Sequence, residues 1–219
     1  MSRFLAPLTL DRLDDLPAAC RRCVHWELDP VAGERAVRAG DAAFEKEAWL
    51  SAVLLEWGTA GRIAYVDDVP AGYVTYAPPA FVPRSTAFPT SPVSPDAVLL
   101  MTAAVLPLYR GGGLARMLVQ GAAKDLTRRG LRAIEAFGDA SPPAVPPDPA
   151  DVRTAEAPPG GCVVPAEFLL AVGFTTVRPH PRYPRLRLDL RTALSWREDV
   201  EAALERILAG VRHPVLTGS

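Results

Sequence analysis

Apolar and polar positions follow two different periods along this chain. Arg3 to Leu8 reads as a short first strand, and Asp11 to Leu16 as one helical turn. Cys20 to Pro30 has no clear period and mixes polar with aromatic residues. From Ala32 to Gly58 the pattern is helical. Phe44, Ala48, Val53 and Trp57 recur at near-helical spacing, and Gly58 offers a stop. Trp49 and Trp57 are expected in the core. Arg62 to Val66 and Ala71 to Tyr76 read as two strands joined by Asp67-Asp68-Val69-Pro70.

Val98 to Val105 is apolar apart from Thr102 and predicts a buried strand. Leu114 to Arg129 predicts an amphipathic helix ended by Gly130, with Arg128 and Arg129 in its last turn. Leu131 to Phe137 is another strand. Pro165 to Val172 is a short helix stopped by Gly173, and Phe174 to Arg178 with Leu186 to Leu190 makes a closing hairpin. A proline-rich connection, 78–95, is too stiff and donor-poor for a sheet interior, and a second proline-rich loop, 141–161, is long enough to be functional or disordered. Ser195 is an expected N-cap for a last helix, Trp196 to Ala209. Its stripe of Val200, Leu204, Ile207 and Leu208 would pack on its own domain or on a second copy, which leaves a homodimer open. The expected organisation is one domain over 1–191 and a helical extension over 192–219. There is no internal repeat.

Composition narrows the partners. The chain has 219 residues and a formal net charge of −1, enough for one sizeable core. Its mixed charges point to neither nucleic acid nor an anionic membrane. The longest apolar run, Ala97 to Leu108, is too short to span a bilayer. Met1 to Pro7 lacks the apolar core of a signal peptide. Three cysteines are an odd count that argues against a disulfide scaffold. These features predict a cytoplasmic protein.

The candidate chemistry sits in Val105-Leu106-Pro107-Leu108-Tyr109-Arg110-Gly111-Gly112-Gly113-Leu114-Ala115, where a strand runs through three glycines into a helix. Small residues let backbone N–H groups approach a ligand, and the helix N-terminus adds partial positive charge, so the place suits phosphate. A Walker loop fails, because Leu114 and Ala115 follow Gly113 where Lys and Ser/Thr are required. The dinucleotide fingerprint fails, because Arg116 stands where its third glycine belongs.

What remains is Arg-x-x-Gly-x-Ala, met by Arg110, Gly113 and Ala115. With Val105-x-Pro107 before it and Met117-Leu118 after it, the stretch from about Leu99 to Phe137 resembles motif A of the GNAT superfamily of acyl-CoA-dependent N-acyltransferases. Val172-Gly173-Phe174 resembles the Leu-Gly-Phe after that family's last helix, and the order of elements from Arg3 to Leu190 is similar to its fold. The resemblance implies an α/β (α+β) protein: a mixed, mostly antiparallel sheet with splayed central strands and flanking helices. It implies acetyl-CoA as acyl donor and a small-molecule amine as acceptor, joined by direct attack in a ternary complex. Backbone groups of Gly111, Gly112, Gly113, Leu114 and Ala115 would cradle the pyrophosphate, with Arg110 flanking it and Arg116 adding charge. The strand ending at Val105 would pair with the pantetheine arm and offer the oxyanion a backbone N–H.

The proton carriers are less defined. Glu135 lies on the strand after the glycine helix and faces the cleft, a solvated sheet face or an ion pair. Glu27 lies between the first strand and the long helix, where the family builds its acceptor site. Asp96 and Asp139 read as turn residues. Many family members carry a Tyr that protonates the leaving thiolate; Leu169 stands in its place and has no proton to donate. A silent acyl-CoA-binding protein on the same fold is therefore the alternative reading.

Two other clusters stand out. Cys20-Arg21-Arg22-Cys23-Val24-His25-Trp26-Glu27 is similar to a Cys-x-x-Cys-x-aromatic-Trp-Glu segment of some bacterial GNAT-like proteins. It reads as two small buried thiols, as a redox pair, or as part of a zinc site with His25 and Cys162, the last implying an interaction module. No metal ligand set is assigned from it. The segment Arg178 to Arg187 is basic and reads as a solvated turn or as an anion site.

Overall fold

The computed structural model describes residues 1–141 and 162–190. The proline-rich stretch 142–161, the helix expected from Trp196 and the extension 192–219 lie outside the described residues.

Eight strands form one mixed sheet: β1 Arg3–Pro7, β2 Gly61–Val66, β3 Val69–Ala77, β4 Ala97–Val105, β5 Ala133–Asp139, β6 Val164–Pro165, β7 Thr175–Arg178 and β8 Arg185–Asp189. They run β1-β2-β3-β4-β5-β8-β7, with β6 paired to β5 off that path. Pairing is antiparallel except β4 with β5 and β5 with β6. Helices α1 Ala18–Arg21, α2 Pro30–Ala39, α3 Ala42–Glu56, α4 Leu114–Arg128 and α5 Ala166–Ala171 flank the sheet. The mixed, mostly antiparallel sheet agrees with the expected fold class.

The helical stretch expected over 32–58 is two helices. Asp29 caps α2, accepting from the N–H groups of Val31 and Ala32 at 2.8 and 3.0 Å, with Pro30 at the first position. Gly40 ends α2 at φ +82, a left-handed conformation costly for other residues. The chain restarts as α3 in a different register. Its buried face is Ala42, Lys46, Trp49, Leu50 and Val53, while Phe44 is 69% exposed. The β2–β3 turn has Asp67 and Asp68 at φ +49 and +64, the backbone twist that suits a tight hairpin.

Apolar side chains fill both faces of the sheet. On one face α4 buries Leu114, Leu118, Val119, Ala122 and Leu126, an i, i+4, i+8 stripe, against Ala64, Val74, Val98 and Ile134. Gly121 lets this helix come close: a Cβ there would stand 2.3 Å from Leu5 Cδ1. On the other face Trp26, Phe88 and Phe137 stack, with Trp26–Phe88 and Phe88–Phe137 centroids 5.1 and 4.3 Å apart. Trp49, Leu50 and Val53 of α3 close the same cluster.

Asp125 ties α4 to the sheet. Arg62 Nε donates to its Oδ2 at 2.8 Å, Tyr76 Oη donates at 3.1 Å, and Arg128 caps the other oxygen. Burial opposes ionisation of Asp125, yet Arg62, Tyr76 and Arg128 outweigh it and lower its pKa. A lowered folded pKa means the stabilisation is present above the unfolded value of about 3.9 and is lost as pH falls through the folded one. Asp125→Asn is expected to cost about 2–3 kcal/mol at neutral pH, since it strands a partly buried guanidinium. Thermal melts read this as a drop of roughly 5–10 °C. The variant should also lose less stability than the parent between neutral pH and strong acid.

Candidate functional site

The glycine turn owes its shape to two positions. Beyond β4, Pro107–Tyr109 form a single 3-10 turn, and Gly111 and Gly113 then take φ +78 and +77. A Cβ at either would meet nothing within 4 Å. Glycine therefore supplies the left-handed backbone, and open space stands where a side chain would be. Gly113 is the N-cap of α4 and no side chain caps the helix, so its first-turn N–H groups have no capping partner. Three arginines brace the turn. Arg3 Nη1 donates to the Gly112 carbonyl at 2.7 Å, Arg110 Nε to Val105 at 3.1 Å, and Arg116 Nη2 to Ala171 at 2.9 Å. The Arg3 brace was not anticipated, because 109 positions separate the partners.

These residues wall a cleft of about 230 Å³. Val105, Tyr109, Arg110, Gly111, Gly113, Leu114, Ala115 and Arg116 line it together with Phe168 and Ala171 of α5 and Val172 just after that helix. Gly112 is not in the lining; it holds the turn through Arg3.

The cleft lies beside the parting of β4 and β5. These strands pair only from Ala97–Leu99 to Ala133–Glu135. Beyond that, β5 pairs with β6 at Gly138 and Asp139, while β4 stays with β3. Thr75 pairs with Thr102 and Tyr76 with Leu100, so Met101 is an extra residue, a bulge that bends β4. The Cys162 carbonyl, just before β6, accepts from Trp26 Nε1 at 3.3 Å and Thr102 Oγ1 at 3.2 Å. Strand β6 escaped sequence reading because two residues carry no period.

Glu135 stands at the last rung of that pairing and is fully buried. Its Oε2 accepts from Arg185 Nη1 at 2.5 Å and the Ser94 N–H at 3.1 Å, and its Oε1 from Arg187 Nη1 at 3.2 Å. Arg187 also pairs with Asp96 at 2.8 Å. Of the options open for Glu135, the geometry is that of the ion pair, neither a solvated sheet face nor a base facing the cleft. It also places Arg185 and Arg187 inward, so that part of the basic segment is neither a solvated turn nor a free anion site. Asp96 is an ion-pair partner rather than only a turn residue.

Glu27 is 4% exposed and pairs with Lys46 of α3, whose Nζ also donates to the Cys23 carbonyl at 3.1 Å. Burial lowers the Lys46 pKa, but Glu27 raises it by more, so the ammonium persists. The Trp26 N–H donates to Glu27 Oε2 at 3.2 Å. Cys23 lies with its sulfur 3.1 Å from that of Cys162, and Cys20 bonds the Tyr73 hydroxyl. Burial, then Arg84, lowers His25 to about 4, so the ring is neutral at pH 7, and its buried Nε2 has no partner. Among the described residues, no group of three or more His, Cys, Asp or Glu side chains is placed to hold a metal ion. Leu169 is fully buried between the sheet and Phe174, and its neighbour Phe168 lines the cleft instead. No hydroxyl from α5 enters it.

Glu135→Gln is expected to lower stability by about 2–4 kcal/mol, because one oxygen can no longer answer a buried guanidinium. Chemical denaturation at neutral pH measures it; an unchanged midpoint would make the two ion pairs energetically silent.

Similar solved structures include a PaiA N-acetyltransferase from Thermoplasma acidophilum in complex with coenzyme A, at 12% identity and TM-score 0.51. The match covers 86% of this chain and 99% of that one. YncA from Salmonella typhimurium, solved with acetyl-CoA, matches at 15% identity and TM-score 0.52 over 87% and 95%. An N-acetyltransferase from Staphylococcus aureus Mu50 matches at 14% identity and TM-score 0.50 over 87% and 99%. At these identities the likeness is one of fold. No curated protein sequence matches significantly. No helix among the described residues is long and apolar enough to cross a membrane. The acetyltransferase (GNAT) family model matches residues 22–146, more than half of the chain, and the protein belongs to that family.

Proposed function

We propose that the protein transfers an acyl group, with acetyl the expected one, from a coenzyme A thioester to the amine of a small molecule. Both substrates are bound together and the amine attacks directly. The observation that carries this reading is the glycine turn at the N-terminus of α4, which opens onto the cleft beside the parting of β4 and β5. The free N–H groups of the turn and first helical turn suit a pyrophosphate, and Arg110 and Arg116 supply positive charge at the rim. Past Leu99, β4 pairs with no strand on its β5 side among the described residues, so the backbone groups of that edge, apart from the Val105 carbonyl that Arg110 takes, would pair with the amides of a pantetheine arm as a strand would. A backbone N–H of that edge would stabilise the tetrahedral oxyanion. PaiA and YncA, with coenzyme A and acetyl-CoA, support the donor.

Glu27 is the proposed proton acceptor for the amine. Its ion-pair partner Lys46 stays an ammonium, and Trp26 joins its segment to Cys162 at the parting of the strands. Glu135, held by two guanidinium groups, is assigned to positioning β5. With Leu169 in the core, the thiolate leaves without a proton from α5. That last feature also favours the second reading, an acyl-CoA-binding protein without turnover.

Acetyl-CoA incubated with a panel of small amines should release free thiol with at least one of them. Coenzyme A binding with no thiol from any amine would favour the silent reading. Gly113→Asp is expected to weaken coenzyme A binding by roughly 10-fold or more in calorimetry, through like charge at the helix N-terminus and strain at positive φ. Glu27→Gln should lower kcat by about 10²-fold, the usual share of a general base. The double variant Glu27→Gln/Lys46→Met separates chemistry from folding. It should regain melting temperature while kcat stays low; recovery of both would make Glu27 a structural residue.

A further inference from the structure

The three cysteines fall into a pattern that Cys-x-x-Cys spacing does not foretell. The close pair is Cys23 with Cys162, 139 positions apart, not Cys20 with Cys23. Cys20 is turned to the Tyr73 hydroxyl, and burial raises its pKa. The Cys23 and Cys162 sulfurs stand 3.1 Å apart and both residues are partly exposed. A disulfide needs about 2.05 Å between sulfurs, so a closure of roughly 1 Å suffices, within the reach of side-chain rotation. Side-chain donors to backbone carbonyls hold the two segments in place: Lys46 Nζ donates to the Cys23 carbonyl, and Trp26 Nε1 and Thr102 Oγ1 donate to the Cys162 carbonyl.

We propose that Cys23 and Cys162 are a thiol–disulfide exchange site that reacts with a small-molecule disulfide, written RS–SR, to form a reversible intrachain bond. The proposal is independent of the acyl-transfer reading. Cys23 is the attacking sulfur. Its hydrogen bond from Cys162 is the main cause that lowers it to about 6, against burial, with the His25 backbone helping. The same bond and burial raise Cys162. A thiolate at neutral pH is the nucleophile in such exchange. The Cys23 thiolate, its proton already given to solvent, attacks one sulfur of RS–SR. A Cys23–S–SR bond forms and RS⁻ leaves, taking the proton of Cys162. The Cys162 thiolate then attacks the Cys23 sulfur, the protein disulfide forms, and the second RS⁻ leaves and is protonated from solvent. Two protein thiols are oxidised and one small disulfide is reduced to two thiols. The bond would fasten the segment after α1 to the strand that enters α5, across the parting of β4 and β5.

The test uses the full chain, reduced and then freed of reductant, with glutathione disulfide as probe. Intact mass should fall by two hydrogens, one thiol per chain should stay free, and a peptide map should join the peptides of Cys23 and Cys162. Dithiothreitol should restore all three thiols. Cys20→Ser should still form the bond, while Cys162→Ser should stop at a glutathione adduct on Cys23. Any of three results overturns the proposal: a Cys20–Cys23 bond in the parent, a stable glutathione adduct without an intrachain bond, or three thiols unchanged after exposure.

Discussion

The structure depends on where β4 and β5 part. Two parallel strands that pair for three residues and then separate leave backbone groups of both without each other. Such groups are costly unless another partner takes them. The parting has identifiable causes on each side. The extra residue Met101 bends β4 while keeping it on β3. Glu135, at the last shared rung, holds β5 to β8 through Arg185 and Arg187. Two guanidinium groups on one fully buried carboxylate leave that point of the sheet little freedom to slide, since breaking a buried ion pair strands a charge. β6 then takes part of the freed edge of β5.

The cleft follows from this arrangement. Distant parts of the chain converge on it by side-chain hydrogen bonds to backbone carbonyls rather than by a shared loop. Arg3 from the first strand holds Gly112, Arg116 of α4 holds Ala171 of α5, and Trp26 and Thr102 hold Cys162. Glycines at positive φ shape the donor half and aromatic and ionic contacts pack the other. The first favours a phosphate because N–H groups and helix dipole act together. The second contains a buried ion pair, a neutral His25 and thiols of unequal acidity, gathered around residues 20–27.

How much of this was legible depends on whether the cause is local. The glycine turn was legible, because a strand, a turn and a helix with strong periods meet within a few residues. Most strands were legible for the same reason. The break at Gly40 was not: Phe44, Ala48, Val53 and Trp57 all lie beyond it, so their spacing marks α3 and says nothing of where α2 ends, and Phe44 faces solvent. Glu135 illustrates a different limit. Alternation could not choose between the cleft and an ion pair, because its partners lie 50 and 52 positions later on an antiparallel neighbour. Leu169 was read as a missing proton donor, and the structure adds that Phe168 takes the cleft-lining place.

The central claim is that the glycine turn and the parted strands together form one acyl-CoA site. A crystal structure of the chain grown with acetyl-CoA tests it most directly. The account predicts pyrophosphate oxygens within hydrogen-bond distance of the N–H groups of residues 111–115, with the pantetheine arm along the free edge of β4. Pyrophosphate bound away from that turn, or an arm lying outside the opening between β4 and β5, would contradict it.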